Sequence, residues 1–213
     1  PERRGGLSER MPHGDSSRHA AVLAGGTRGE GVRHRLRLTL LFSDLSGSSH
    51  LSSVVDPEDF LDVIDALREI WHRVASGSGG RILRMQGDGV LMVFGYPSPA
   101  EDDGVRAVEA ALRIQEEVSR LSLAAIPVEH LPLAVHAGVH AGLVVVTEGD
   151  MARGHLDLAG QAVNDAAHLA AAAGRGQVLV ATAALGPYTH CFELAPVTAD
   201  QRAKTAERAF VHV

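Results

Sequence analysis

Asp44 closes the apolar run "LTLLFSD", and Asp88 stands between two glycines in "QGDGV". Each has a plain explanation as a turn residue, because an Asp carboxylate accepts hydrogen bonds from nearby backbone amides. As a pair they offer more. In a βαββαβ chain the first strand and the following hairpin are commonly neighbours, so the two acids can meet at one end of a sheet. Two carboxylates and a backbone carbonyl can hold two hard cations side by side, as phosphoryl or nucleotidyl transfer requires. The residues after Asp44 include Ser46, Gly47, Ser48 and Ser49. Their small side chains leave several backbone N–H groups unobstructed before the first helix, a nest suited to a polyphosphate. Residue type alone leaves both readings open, two turn aspartates or one metal site.

The elements that must position these acids are legible as patterns. "RLRLTLLFS" is predicted as a buried strand. "DPEDFLDVIDALREIWHRVAS" opens on Asp-Pro and carries Phe60, Leu61, Val63, Ile64, Leu67, Ile70 and Trp71 at helical spacing. "GGRILRMQ" and "GVLMVFGY" flank "GDG", a strong hairpin signal. "SPAEDDGVRAVEAALRIQEEVSRL" is a second amphipathic helix whose acidic start suits the positive end of its dipole. "LPLAVHAGVHAGLVVVTEG" reads as strand, glycine-marked bend, strand. "GQAVNDAAHLAAAAG" is an alanine-rich third helix ended by Gly174. "GQVLVAT", "CFELAPV" and "RAFVHV" are closing strands. The expected fold class is α+β: a ferredoxin-like βαββαβ core with helices on one face of a mostly antiparallel sheet.

Composition narrows the function classes. The chain has 213 residues, is 45% hydrophobic and 22% charged, and carries a net charge of −6. That describes one folded domain with an appendage, and offers no charge signal for nucleic acid. The single Cys191 excludes an internal disulfide and any multi-cysteine zinc site, so a reducing, cytoplasmic setting is expected. No apolar run is long enough for a membrane segment. Residues 1–34, rich in Arg, Gly, Ser and His, are expected to form a flexible tail or linker, with the folded domain spanning 35–213. The chain opens on Pro rather than Met, so a longer parent protein is expected. His136 and His140 share a strand face, but no third ligand of matching spacing accompanies them, and strand packing is the simpler account than zinc. Met85 and Met92 are expected in the core.

"LTLLFSDLSGSS", "GGRILRMQGDGVLMVFGYPSPAEDDGVRAVEAALRI", "VHAGVHAGLVVV" and "DLAGQAVNDAAHL", in that order and with suitable spacing, resemble the successive signature segments of class III nucleotide cyclase catalytic domains, bacterial members most of all. The resemblance runs from about Arg35 to the C-terminus. It implies that Asp44 and Asp88 bind two Mg²⁺ or Mn²⁺ ions, with the Leu45 carbonyl as an auxiliary ligand. The implied reaction is attack of a ribose 3′-hydroxyl on the α-phosphate of a nucleoside triphosphate. The implied assembly is a homodimer with its sites at the subunit interface.

Further roles follow from the same resemblance. Arg84 falls where adenylate cyclases carry a base-reading Lys, and Asp157 where they carry an Asp or Thr that completes adenine recognition. Arg offers only donors and ionised Asp only acceptors, which suits ATP or CTP; Arg is not interchangeable with Lys, however. Asn164 matches the Asn that positions the ribose. His168, four residues on and on the same helical face, stands where the family carries a phosphate-stabilising Arg. A neutral imidazole lacks that charge, although nearby phosphates favour its protonation. Losing such a cation costs roughly 10²- to 10³-fold in rate. Arg175 is the nearest substitute cation. Lys204 lies near a family Lys that contacts polyphosphate. Two functions are therefore expected: a cyclase making cyclic AMP, or a weakly active or inactive cyclase-homology module that binds nucleotide and dimerises. A cyclase using CTP or GTP is a third.

Overall fold

The computed structural model describes residues 33–121, 132–147 and 157–205, and the backbone of 209–212. The expected tail, as far as residue 32, lies outside the described residues. Strand β1 (Arg33–Leu45) leads through the short helix α1 (Ser48–Val54) and the long helix α2 (Pro57–Ser78) to a hairpin of β2 (Arg81–Gln86) and β3 (Gly89–Phe94). Helix α3 (Asp103–Ser119) follows, then β4 (Val135–Thr147), β5 (Asp157–Ala159), α4 (Gln161–Ala172) and β6 (Val178–Ala181). The chain closes with α5 (Thr182–Leu185), a 3₁₀ segment, β7 (Leu194–Pro196), α6 (Ala199–Lys204) and β8 (Ala209–His212).

The strand order is β2-β3-β1-β4-β6-β8-β7, with β5 added to β4. Its first four strands have the antiparallel arrangement of a ferredoxin-like βαββαβ unit. The one parallel pairing described is between β4 and β6. This bears out the expected α+β class.

Local chemistry accounts for the helix boundaries. Asp56 is the N-cap of α2, Pro57 supplies a pre-set φ, and Glu58 and Asp59 sit at the positive end of the dipole. Gly79, at φ 69°, ends the helix in the left-handed region that glycine adopts without strain. Helix α3 starts at Asp103, five residues later than "SPAEDD" foretells. The Asp103 carboxylate accepts the Ala100 amide at 2.8 Å and pairs with Arg106, so the preceding segment is tied as a turn rather than helix.

The core explains why the middle of β1 is apolar on both sides. Leu41 and Leu45 face a cluster built with Val63, Leu67 and Trp71 of α2 and Ala107, Ala111 and Ile114 of α3. Leu38 and Leu40 face the other way, against Val144, Val146 and the α4 residues Ala162 and Ala166. Leu61, counted in the apolar pattern of α2, is instead 57% exposed. The expectation of helices on one face is therefore corrected: α2 and α3 cover one face, and α4 covers the other.

The expected glycine bend is also corrected, because β4 runs unbroken for 13 residues. Its glycines serve the packing of α4. A Cβ on Gly138 would stand 2.5 Å from the Ala166 carbonyl oxygen and 2.7 Å from Leu169 Cβ. One on Gly142 would stand 2.7 Å from Ala162 Cβ. Bare strand backbone and alanine-rich helix thus bring α4 unusually near the sheet.

Gly138→Ala tests this contact. Restricting the unfolded chain gains about 0.4–1 kcal/mol, but forcing a methyl against helix backbone costs about 1–3 kcal/mol or more. The collision wins, and chemical denaturation should show a net loss of stability.

Candidate active site at the end of the first strand

Antiparallel register assembles the site. Asp44 pairs with Gly89 on one side and His136 on the other, and Gln86 pairs with Gly89. One cross-strand row therefore reads Gln86, Gly89, Asp44, His136. Gly89 makes room for the carboxylate: a Cβ there would lie 3.1 Å from Asp44 Oδ1. Asp88 occupies the two-residue turn between β2 and β3, after Gly87 at φ 58°. The Leu45 amide donates to the Asp88 carbonyl at 3.1 Å, which fastens the hairpin tip to the end of β1. The Leu45 side chain is buried in the core, so only its backbone faces the site.

The two acids meet. Burial raises the Asp44 pKa above its ordinary 3.8, and repulsion from Asp88 and a side-chain hydrogen bond to it push the same way. His136 and the Leu45 amide oppose the shift only in part. A half-buried carboxylate that resists ionisation, with a second carboxylate beside it, forms an oxygen-rich seat for a hard cation. Among the described residues no group of three or more His, Cys, Asp or Glu side chains gathers as a metal cluster. Remaining ligands would have to be backbone, water or substrate oxygen, as at Mg²⁺ sites.

The adjoining loop is held from beneath. The Ser46 amide donates to the Ala134 carbonyl at 2.8 Å, and its hydroxyl lies 3.0 Å from His136 Nδ1. Its carbonyl accepts from Arg175 Nη1 at 3.4 Å, while Arg175 Nη2 donates to the Pro132 carbonyl at 2.6 Å. Gly47, at φ 78°, is the N-cap of α1. Ser48 and Ser49 open that helix, so their N–H groups have no intrahelical partner. Arg175 is thus a tie between backbone segments, and its guanidinium is engaged away from the acids. Its expected part as a substitute cation has no geometric support.

A cavity of about 610 Å³ opens over this end of the sheet. Asp44, Asp88, His136, Gln86 and Arg84 line it with Phe42, Leu91 and the α4 alanines Ala167, Ala170 and Ala171. Arg84 owes its place to an irregularity. The β2–β3 register slips between Ile82 and Arg84, so Arg84 rather than Leu83 lies opposite Leu91. Without that bulge, alternation would turn Arg84 toward the α2–α3 core.

Other expected site residues stand outside the lining. Asp157 is exposed on β5, opposite Thr147, and forms no ion pair with Arg84. Asn164 and His168 lie on the exposed stripe of α4. Lys204 is exposed on α6, its ammonium 2.7 Å from Asp200. His136 was read from sequence only as strand packing; its signal was a polar residue opposite Asp44, visible only once the pairing of β1 with β4 is known. His140, on the same face, is buried.

The Asp44 shift has a direct stability consequence. Its folded pKa lies above the unfolded value, so ionisation costs stability that is fully lost at neutral pH and regained as pH falls below about 3.8. Asp44→Asn should therefore raise the melting temperature of the chelator-treated protein at pH 7, with the gain vanishing in acid. Adding Mn²⁺ should stabilise the wild type by mass action and leave Asp44→Asn unmoved.

Comparison with known proteins identifies the family. The family model for the adenylate and guanylate cyclase catalytic domain matches residues 33–197. An adenylate cyclase of Mycobacterium tuberculosis is 25% identical over 142 residues, 67% of this chain and 31% of that protein. An uncharacterized protein of the same organism is 29% identical over 140 residues, 66% of this chain and 31% of its own length. The chain thus spans about a third of the curated relatives it matches. Among solved structures, the catalytic core of a rhodopsin-guanylyl cyclase with converted specificity, in complex with ATPαS, superposes with a TM-score of 0.74 at 21% identity, covering 85% of this chain and 98% of that one. The guanylate cyclase domain of RhGC from Catenaria anguillulae, in complex with GTP, gives 0.72 at 20% identity, with coverage of 85% and 98%. The chain belongs to the class III adenylate and guanylate cyclase catalytic domain family, whose members use divalent metal ions.

Proposed function

We propose that the chain converts ATP to 3′,5′-cyclic AMP and pyrophosphate within a homodimer whose sites lie at the subunit interface. The observation that carries this reading is the meeting of Asp44 and Asp88 beside the Ser46–Gly47 loop. Two divalent cations, Mg²⁺ or Mn²⁺, would be held by these carboxylates and the Leu45 carbonyl, and when bound they lower the pKa of an attacking hydroxyl and neutralise charge at phosphorus. The ribose 3′-oxygen bonds to the α-phosphorus, its proton leaves, and the bond to pyrophosphate breaks.

The remaining roles rest on the chain's own groups. Amides of the 47–49 segment donate to phosphate oxygens, the Ser46 amide being held by the Ala134 carbonyl. Arg84 donates to a base acceptor from inside the cavity. Asp157 would complete base recognition from the β5 edge. Asn164 orients the ribose, and His168 supplies positive charge when protonated. Both stand on the outward stripe of α4, outside the cavity lining of their own chain, which favours service to a second subunit. Lys204, paired with Asp200, is left without a role.

Incubating the protein with Mn²⁺ and ATP, GTP, CTP or UTP separately, with mass-spectrometric detection of cyclic product, tests the activity. Asp44→Ala and Asn164→Ala should each abolish turnover, and mixing the two variants should restore part of it through heterodimers that keep one intact site. Absence of product from every nucleotide would leave a nucleotide-binding, dimerising module.

His168 gives a second test. His168→Arg should raise turnover by up to roughly 10²- to 10³-fold. No change would remove His168 from the mechanism.

A further inference from the structure

The cavity has an apolar floor and an alanine wall, and one lining residue has no part in the reading above. Gln86 lies in the same cross-strand row as Asp44, two strand spacings away, or roughly 10 Å. It lies on the same strand and face as Arg84, two residues further along β2. Its side chain is exposed, and no hydrogen bond engages it among the described residues. A nucleotide base lying over Phe42 and Leu91 would bring its edge to the Arg84–Gln86 pair. Whichever subunit holds the phosphates, these two side chains meet the base together, because one strand face carries both.

We infer that Gln86 hydrogen-bonds the 6-substituent of a purine base and accepts either an amino or an oxo group there. The chemistry of the pair leads to this. Arg84 only donates, so it serves a ring nitrogen or an oxo group and cannot serve an amino group. A primary amide carries an acceptor and a donor on one rotatable group. Turned one way, Gln86 accepts from a 6-amino group while Arg84 donates to the adjacent ring nitrogen. Turned the other way, it donates to a 6-oxo group. A carboxylate at this position would meet only the amino group. The consequence is a domain that admits both ATP and GTP at this contact, with the choice between them left to groups elsewhere. This rests on the nucleotide-binding part of the proposed function but is independent of turnover.

The test is binding, read by titration calorimetry in Mg²⁺, of three triphosphates lacking the attacking 3′-hydroxyl: 3′-deoxy-ATP, 3′-deoxy-GTP and the 3′-deoxy triphosphate of unsubstituted purine riboside. Gln86→Leu, of similar volume, should weaken the first two by roughly 2- to 10-fold, the range of one net hydrogen bond, and leave the third unchanged. Gln86→Glu should keep the adenine analogue and weaken the guanine one. An equal loss across all three, or no loss, overturns the inference while leaving the cyclase reading intact. A wild-type protein that binds none of them overturns both.

Discussion

The site depends on one constraint, the antiparallel register of β3 on β1. It sets Asp44 opposite Gly89, so the acid of the next-door turn arrives beside it. Side chains alternate faces with a period of two, so a slip of one residue would turn Asp44 into the core. That slip is opposed by the apolar residues that β1 buries on both faces, Leu41 and Leu45 beneath α2 and α3, Leu38 and Leu40 beneath α4. The register also delivers His136 and Gln86 to the same row. The chemistry at the strand end is therefore specified by packing further along the strand.

This arrangement places cost and compensation in different parts of the fold. The raised pKa of Asp44, caused by burial and by Asp88 beside it, destabilises the metal-free domain at neutral pH, and nearby groups relieve this only in part. Stability comes instead from the cores on either side of the sheet, where Trp71, Leu67, Met92 and Phe94 on one face and Leu38 and Leu40 on the other are fully buried. The Ser46 loop shows the same division. Its amide, hydroxyl and carbonyl each have a partner, just before β4, on β4 and on the segment after α4 respectively. Adjacent first-turn amides are left to whatever binds.

Much of this was legible because it depends on local pattern. "QGDGV" announces its hairpin through glycine, and "LTLLFSD" its strand through apolar continuity, so the two acids can be paired from the sequence. What failed to show was non-local. Gly138 and Gly142 looked like a bend because a glycine's reason is often a neighbour distant in sequence, here α4. The same contact put α4 on the second face, which an alanine-rich helix does not declare by periodicity. The bulge beside Leu83 left no mark in residue type, yet it decides which way Arg84 points. His136 and Gln86 required the register itself.

The close seat of α4 bears on how a second chain could take part. A helix held against strand backbone by small residues has little freedom to swing its outer stripe inward. Asn164 and His168 are therefore committed to the outside of their own chain, while the cavity beside the acids is walled by Ala167, Ala170 and Ala171. On the proposed roles, a single chain would carry the metal-binding half of a reaction and the ribose- and phosphate-directed half on adjoining faces of one helix, Ala171 of the cavity wall lying three residues from His168. For both halves to act on one nucleotide, the stripe of one copy must face the cavity of another. Catalysis would then be governed by association of the two chains.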